Sequence, residues 1–146
     1  MMKISTRVNY GLRLMVQLAV RQGHGFVFLK DIARREGISV KYLSQIMIPL
    51  RASGLVLSSR GIKGGYVLAS APSAITVRQV IEALEGAIAT VRPRERPRQC
   101  ETAEAVTRAI WDTLGHVIVT TLDALTLEQL VESYRAQQQR EMEYQI

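Results

Sequence analysis

The sequence predicts a mainly α-helical fold with one small β-hairpin. Apolar residues recur at helical spacing in several segments, whereas two short runs, Leu55–Leu57 and Tyr66–Leu68, flank a glycine-rich stretch. The chain has 146 residues, of which 47% are hydrophobic and 22% charged. These values are typical of one small globular domain with a helical extension and argue against an intrinsically disordered chain.

Three helices are predicted in the N-terminal part of the chain. The first, at about residues 5–21, carries apolar residues at helical spacing on one face. A second, short helix begins at Leu29 and ends at Gly37. Ser39 supplies an N-cap for the third helix, which extends to about Ala52. Short connections of this kind place the three helices next to one another.

A hairpin and a fourth helix follow. The two apolar runs are joined by residues 58–65, which are basic and rich in glycine, so this segment is predicted to form the hairpin tip. Thr76 and Gln79 form a capping-box pattern before a helix that Gly86 ends. Two prolines and four arginines then occur within residues 87–101, which predicts a loop.

One long helix is predicted from about residue 102, because apolar side chains keep a helical period there over about six turns. Its apolar face is broader than a helix on a small domain needs to bury, which implies a partner surface. The side chains expected at this interface are Val106, Ile110, Trp111, Leu114, Val117, Ile118 and Leu122.

The predicted elements divide the chain into four parts. Residues 1–86 form a first unit, and residues 87–101 form a loop next to the long helix. Residues 102–132 comprise the long helix and a short final helix that begins after Thr126. Residues 133–146 are predicted to be a polar, frayed tail.

Basic residues are concentrated in the N-terminal half. The whole chain has a formal net charge of +6. Residues 1–70 contain eleven Lys and Arg but two acidic residues, a net charge of +9, whereas residues 71–146 have a net charge of −3. A local excess of this kind indicates a surface for a polyanion such as a nucleic acid.

The second and third predicted helices have the spacing of a helix-turn-helix. Ala33 is small where the two helices cross, and Gly37 permits the turn between them. The pattern as a whole consists of Ile32, Ala33, Gly37, Ile38, Val40, Leu43 and Ile46, whose apolar members fix the crossing. Followed by a hairpin, it predicts a winged helix-turn-helix, whose second helix enters a DNA major groove.

Polar side chains at the start of this second helix, and the hairpin tip, are predicted to contact DNA. The amide of Gln45 suits an adenine edge, whereas Lys41 suits a phosphate or guanine. Arg60 and Lys63 lie beside glycines that let the backbone approach a sugar-phosphate strand. The predicted contacts are Ser39, Lys41, Tyr42, Ser44, Gln45, Arg60, Gly61, Lys63 and Gly65.

Five stretches of the chain resemble one family of regulators. They are Met2–Leu12, Tyr42–Gln45, Pro49–Val56, Arg60–Leu68 and Ala83–Gly86, and the resemblance extends to about residue 132. These stretches are similar to the Rrf-two (Rrf2) family, whose members include IscR, NsrR and CymR. The resemblance implies a homodimer joined along the long helix, a double-stranded operator with two-fold symmetry and, usually, repression.

The resemblance also implies further phosphate contacts and a sensor loop. Ser5, Arg7 and Tyr10 are expected to help hold DNA phosphates. Many relatives carry a two-iron two-sulfur cluster on three cysteines in the loop before the long helix. Here Cys100 is the one cysteine; alanine stands at position 105, where the last family cysteine falls, and arginine at 108, where some relatives use histidine.

Three roles for Cys100 remain open at this point. A cluster needs four ligand positions, so Glu101, Glu104 or a partner subunit would have to supply the rest. Alternatively, Cys100 is a redox-sensing thiol whose thiolate is favoured by neighbouring arginines. The third possibility is that Cys100 is an ordinary loop cysteine without a sensing role. Regulation of iron-sulfur or cysteine metabolism is the corresponding expectation.

The resemblance suggests a protein partner as well. In cluster-free members that resemble CymR, control comes from association with cysteine synthase, whose active site accepts the terminal isoleucine of a partner protein. Residues Tyr144–Ile146 are therefore expected to dock there, with the carboxylate taking the place of an amino-acid substrate.

Other classes of function are less well supported by the residues. No nucleophile constellation or phosphate loop is present, so an enzyme is not expected. His24 and His116 lack ligand spacing and are assigned structural roles. Without a secretion signal or a membrane-spanning run, the expected location is the cytoplasm. The alternative is a winged helix used for protein binding or non-specific DNA packaging.

Arg60 provides a test of the predicted hairpin contact, because it is expected to enter the minor groove. Arg60→Ala should weaken binding to the operator by about 1–3 kcal/mol and binding to random DNA by less. Fluorescence anisotropy titrations on both duplexes measure the two changes. Equal losses on both would show that Arg60 contacts a phosphate and no base.

Overall fold

A computed structural model describes residues 4–59, 64–88 and 102–145. Within these ranges the chain forms a mainly helical fold with a two-stranded antiparallel hairpin, as the sequence predicts. The elements are α1 (Thr6–Val20), α2 (Leu29–Glu36), α3 (Val40–Ala52), β1 (Val56–Ser58), β2 (Tyr66–Leu68), α4 (Val77–Glu85), α5 (Thr102–Ala124) and α6 (Leu127–Tyr144), with a short 3₁₀ helix at Pro72–Ala74.

The helix ends lie where the capping residues place them. The Ser39 hydroxyl accepts a hydrogen bond from the Tyr42 amide at 3.1 Å, which caps α3. Thr76 and Gln79 form the predicted capping box at the start of α4. Gly37 ends α2 with φ +66°, a conformation that glycine adopts without a Cβ penalty. Local sequence therefore determines where the helix-turn-helix bends.

The hydrophobic core lies among the first four helices, the hairpin and the start of α6, which contributes Leu127 and Val131. Its largest fully buried side chains include Leu14, Met15, Leu18, Ile32, Leu43, Ile46, Met47 and Leu50. Full burial of such a side chain stabilises the fold by roughly 1.5–3 kcal/mol. Because α3 turns one face into this core, its opposite face is left at the surface.

The hairpin is attached to the helical core by an additional pair of backbone hydrogen bonds. Val56 pairs with Leu68, and Ser58 pairs with Tyr66. Val27, between α1 and α2, exchanges hydrogen bonds of 2.8 and 2.9 Å with Tyr66. The orientation of the hairpin relative to the helix-turn-helix is therefore determined by the segment that precedes α2.

The start of α6 is tied to the start of α4. The amide of Val77 donates to the carbonyl of Leu125 at 2.8 Å, and the amide of Leu127 donates to the carbonyl of Ile75 at 2.9 Å. Leu127 is fully buried. The junction between α5 and α6 is therefore fixed against the N-terminal unit.

An ion-pair network strengthens this junction. Arg78 on α4 bonds Glu82 at 3.0 Å and lies 3.6 Å from the carboxylate of Asp123 on α5. The hydrogen bond and charge of Glu82, followed by the charge of Asp123, raise the pKa of Arg78 above its ordinary value. The network therefore connects α4 to the C-terminal end of α5.

The structure corrects the predicted polar tail. Helix α6 continues beyond residue 132 and ends at Tyr144, where the sequence analysis expected a frayed segment. Residues 135–143 contain no glycine or proline and consist of Arg, Ala, Gln, Glu and Met, which are strong helix formers. The prediction was wrong because it took polarity as a sign of irregular structure.

A partly buried polar network holds the end of α2 against α1. The Glu36 carboxylate accepts from Arg13 Nε at 2.7 Å and from the amide of Gln17, whose residue is 2% exposed. Arg13 Nη2 also donates to the Glu36 carbonyl at 2.9 Å. A carboxylate is disfavoured at the C-terminal end of a helix by the helix dipole. The charge of Arg13 and these hydrogen bonds offset that cost.

Glu36→Ala is expected to lower the free energy of unfolding by about 1–3 kcal/mol, because the buried Gln17 amide loses its acceptor. Asp31→Ala is the matched control, since Asp31 also lies on α2 but pairs with the exposed Arg34. That change should cost less than about 1 kcal/mol. Urea unfolding measures both variants, and equal losses would contradict the anchoring role of Glu36.

Candidate nucleic-acid interface

The surface of α3 carries the polar residues that the sequence analysis selected. Ser39, Lys41, Ser44 and Gln45 are exposed, and Tyr42 is half-buried. Leu43, Ile46, Met47 and Leu50 form the buried face of the same helix. The exposed side chains therefore lie together on the side of the helix-turn-helix that can enter a major groove.

Two serines at the start of α3 have different hydrogen-bonding capacity. Ser39 accepts from a backbone amide, so its hydroxyl proton is available to a phosphate oxygen. The Ser44 hydroxyl instead donates to the carbonyl of Val40 at 2.9 Å. Ser44 is therefore better placed to accept a hydrogen bond from DNA than to donate one.

Tyr10 and Tyr42 connect α1 to α3. Their rings meet edge to face with centroids 5.7 Å apart. The guanidinium of Arg13 lies 5.2 Å from the centroid of the Tyr10 ring, and the same guanidinium bonds Glu36. The two aromatic rings thus belong to a continuous set of contacts that runs from the helix-turn-helix turn to α3.

The Ser5 hydroxyl makes two hydrogen bonds within the protein. It caps α1 by accepting from the Val8 amide, and its hydroxyl donates to the Glu85 carboxylate at 2.6 Å. This donor would have to leave Glu85 before it could bond a phosphate. Arg7 is exposed on the first turn of α1, where the predicted phosphate contact needs it.

The structure corrects the predicted role of Gly65. This residue is buried at φ +142°, and an added Cβ would lie 2.8 Å from the Cβ of Phe26. The glycine is therefore required for packing of the hairpin inside the protein, whereas the sequence analysis had assigned it to a DNA strand. The other predicted hairpin contacts, Arg60, Gly61 and Lys63, lie outside the described residues.

Sequence reasoning overlooked apolar and basic side chains on the exposed face of α3. Val40 was assigned to packing but is 45% exposed, and Ile48 is 67% exposed. Arg51 is also at the surface. Helical periodicity could have identified Ile48, since it follows Lys41 by seven residues and therefore lies on the same face.

Helix α5 leaves its apolar stripe uncovered. None of its 23 residues is buried within one chain. Val106, Ile110, Leu114 and Val117 are 36–58% exposed, while Trp111, Ile118 and Leu122 are half-buried. Neither α5 nor another helix in the described ranges is long and apolar enough to cross a membrane. A contiguous apolar stripe of this kind indicates a protein partner.

The available ligands do not fit an iron-sulfur cluster. Such a cluster needs four ligand positions, and each chain has one cysteine, Cys100, which lies outside the described residues. Glu104 bonds Arg108 at 2.9 Å. Among residues 4–59, 64–88 and 102–145, His, Cys, Asp and Glu form no group of three that could hold a metal ion.

Comparison with known proteins identifies the family. Residues 4–133 match the Rrf2 family, described as iron-dependent transcriptional regulators. The HTH-type transcriptional regulator CymR of Bacillus subtilis is 41% identical over 143 residues, which cover 98% of this chain and 99% of CymR. IscR of Photorhabdus laumondii is 35% identical over 133 residues, which cover 90% of this chain and 80% of IscR.

A solved structure gives the same assignment. The structure of CymR, the global cysteine regulator of B. subtilis, matches with a TM-score of 0.79 and 43% identity, and the match covers 91% of this chain and 98% of that one. The predicted winged helix-turn-helix fold is therefore confirmed. The chain belongs to the Rrf2 family of transcriptional regulators.

Proposed function

We propose that this chain is a sequence-specific transcriptional repressor that acts as a homodimer on a palindromic operator. The observation that carries the proposal is the exposed face of α3, where Lys41 and Gln45 stand opposite a fully buried face. Cationic and amide side chains are the groups that contact phosphates and base edges in a major groove. The role is regulatory and non-catalytic.

The dimer is proposed to form along α5. A second copy of the chain offers the same apolar stripe, so pairing about a two-fold axis buries both stripes at once. The contacts between α4, α5 and α6 then fix each DNA-binding unit relative to the axis. Two α3 helices, one from each chain, would enter successive major grooves about 34 Å apart.

The proposed regulon is cysteine or iron-sulfur metabolism. The support is the name of a relative that matches nearly the whole chain, which is described as a global cysteine regulator. Because the ligand set does not fit a cluster, we propose that Cys100 acts as a redox-sensing thiol. A cytoplasmic location is consistent with such a role.

Cysteine synthase stays a predicted partner. The last turn of α6 carries Tyr144, which is fully accessible to another protein, whereas Ile146 lies outside the described residues. The proposal that this end of the chain docks in cysteine synthase therefore rests on the family resemblance.

Selection from random double-stranded DNA tests the proposed function. The purified protein is expected to enrich a site with two-fold symmetry and half-sites about one helical turn apart. The logarithm of its affinity should fall with the logarithm of salt concentration, by about 0.9 for each phosphate neutralised. Enrichment without symmetry, or no preference among sequences, would instead support the protein-binding or DNA-packaging alternative.

Ile110→Glu tests the proposed dimer interface. The new carboxylate would be buried against its two-fold mate, so sedimentation equilibrium should show a monomer, and operator affinity should fall by at least tenfold. His116→Glu is the matched control, because His116 is exposed on α5 about 120° around the helix from Ile110. This control should remain dimeric. An Ile110→Glu protein that is dimeric and binds normally would place the interface elsewhere.

A further inference from the structure

Ile48 is the most exposed of the large apolar residues on α3. It is 67% exposed, although the neighbouring Met47 and Leu50 are almost completely buried. Single apolar side chains at a protein surface are common and need no explanation by themselves. The position of Ile48 distinguishes it, because it lies on the same helix face as Lys41 and Ser44, seven and four residues earlier.

This face has polar groups at its N-terminal end and an apolar group further along. Lys41 and Gln45 carry the charge and the amide, whereas the hydroxyl proton of Ser44 is engaged by the Val40 carbonyl. Beyond Gln45, the next side chain on the face is Ile48, which can make only apolar contacts. In a major groove, the apolar group that distinguishes one base from the others is the C5-methyl group of thymine.

The spacing of Gln45 and Ile48 along α3 is comparable to one base-pair step. Three residues advance an α-helix by about 4.5 Å, and successive base pairs are about 3.4 Å apart. A helix that lies along the groove and places the Gln45 amide at an adenine edge therefore brings Ile48 to the next base pair or the one beyond it. The two side chains together favour A·T pairs at adjoining positions of a half-site.

We propose that Ile48 is a specificity-determining residue that contacts the C5-methyl group of one thymine in each operator half-site. This inference rests on the proposed function, since it requires that α3 enter the major groove. Ile48 gives the regulator a preference for thymine over cytosine or uracil at that position. The contact adds apolar recognition to the hydrogen bonds of Gln45 and the charge of Lys41.

Deoxyuridine substitution tests the contact at the level of one methyl group. Each thymine of the selected operator is replaced singly by deoxyuridine, and dissociation constants are measured for the unmodified protein and for Ile48→Ala. At one thymine of each half-site, loss of the methyl group should weaken binding by the unmodified protein about fourfold, as expected for exposure of one methyl-sized group. The same substitution should change binding by Ile48→Ala less than twofold.

Leu57→Ala is the matched control, because Leu57 is also an exposed apolar residue but lies on β1. This variant should keep the full effect of the methyl group. Thermal unfolding followed by circular dichroism establishes that both variants are folded. The inference is overturned if the half-sites contain no thymine, if no thymine shows the fourfold effect, or if Ile48→Ala responds to deoxyuridine like the unmodified protein.

The outcomes separate this inference from the function on which it rests. A palindromic operator without a methyl effect would leave the proposed regulator in place and remove Ile48 from its specificity. Failure to select a specific site would contradict the proposed function itself.

Discussion

The uncovered apolar stripe of α5 is the constraint on which the architecture depends. A 23-residue helix without a fully buried side chain leaves apolar surface that a protein partner can cover. In the proposed homodimer, a second copy covers the stripe and at the same time creates two-fold symmetry. One structural need thus accounts for both the long helix and the expected palindrome.

The helix-turn-helix requires a second constraint, which is rigidity at the turn. Glu36 lies at the last residue of α2 and is held by Arg13, whose guanidinium also packs on Tyr10. Tyr10 in turn contacts Tyr42 on α3. Rotation of α3 would displace Gln45, and these contacts restrain that rotation.

Much of this organisation follows from local sequence. The caps Ser39 and Thr76 and the turn at Gly37 were predicted because each acts on neighbouring backbone. The polar face of α3 follows from helical periodicity. Gly65 could not be interpreted in this way, because its role depends on Phe26, which is distant in the sequence. The hydrogen bond of Ser5 could not be predicted from local sequence either, since its partner Glu85 is 80 residues away. The extension of α6 to Tyr144 was predictable from helix propensity. The exposure of Ile48 on the polar face of α3 was predictable from helical periodicity.

The distance between the two α3 helices on DNA tests the central claim most directly. Ala52 is exposed at the end of α3, so a spin label on Ala52→Cys in a Cys100→Ser background reports this distance by double electron-electron resonance. On the selected operator, the account predicts one interspin distance of roughly 34 Å, the separation of successive major-groove sites, with an offset set by the position of Ala52 at the end of α3. Operator complexes with a single spin, or with two labels far from that separation, would contradict a dimer that places its two helices in successive grooves.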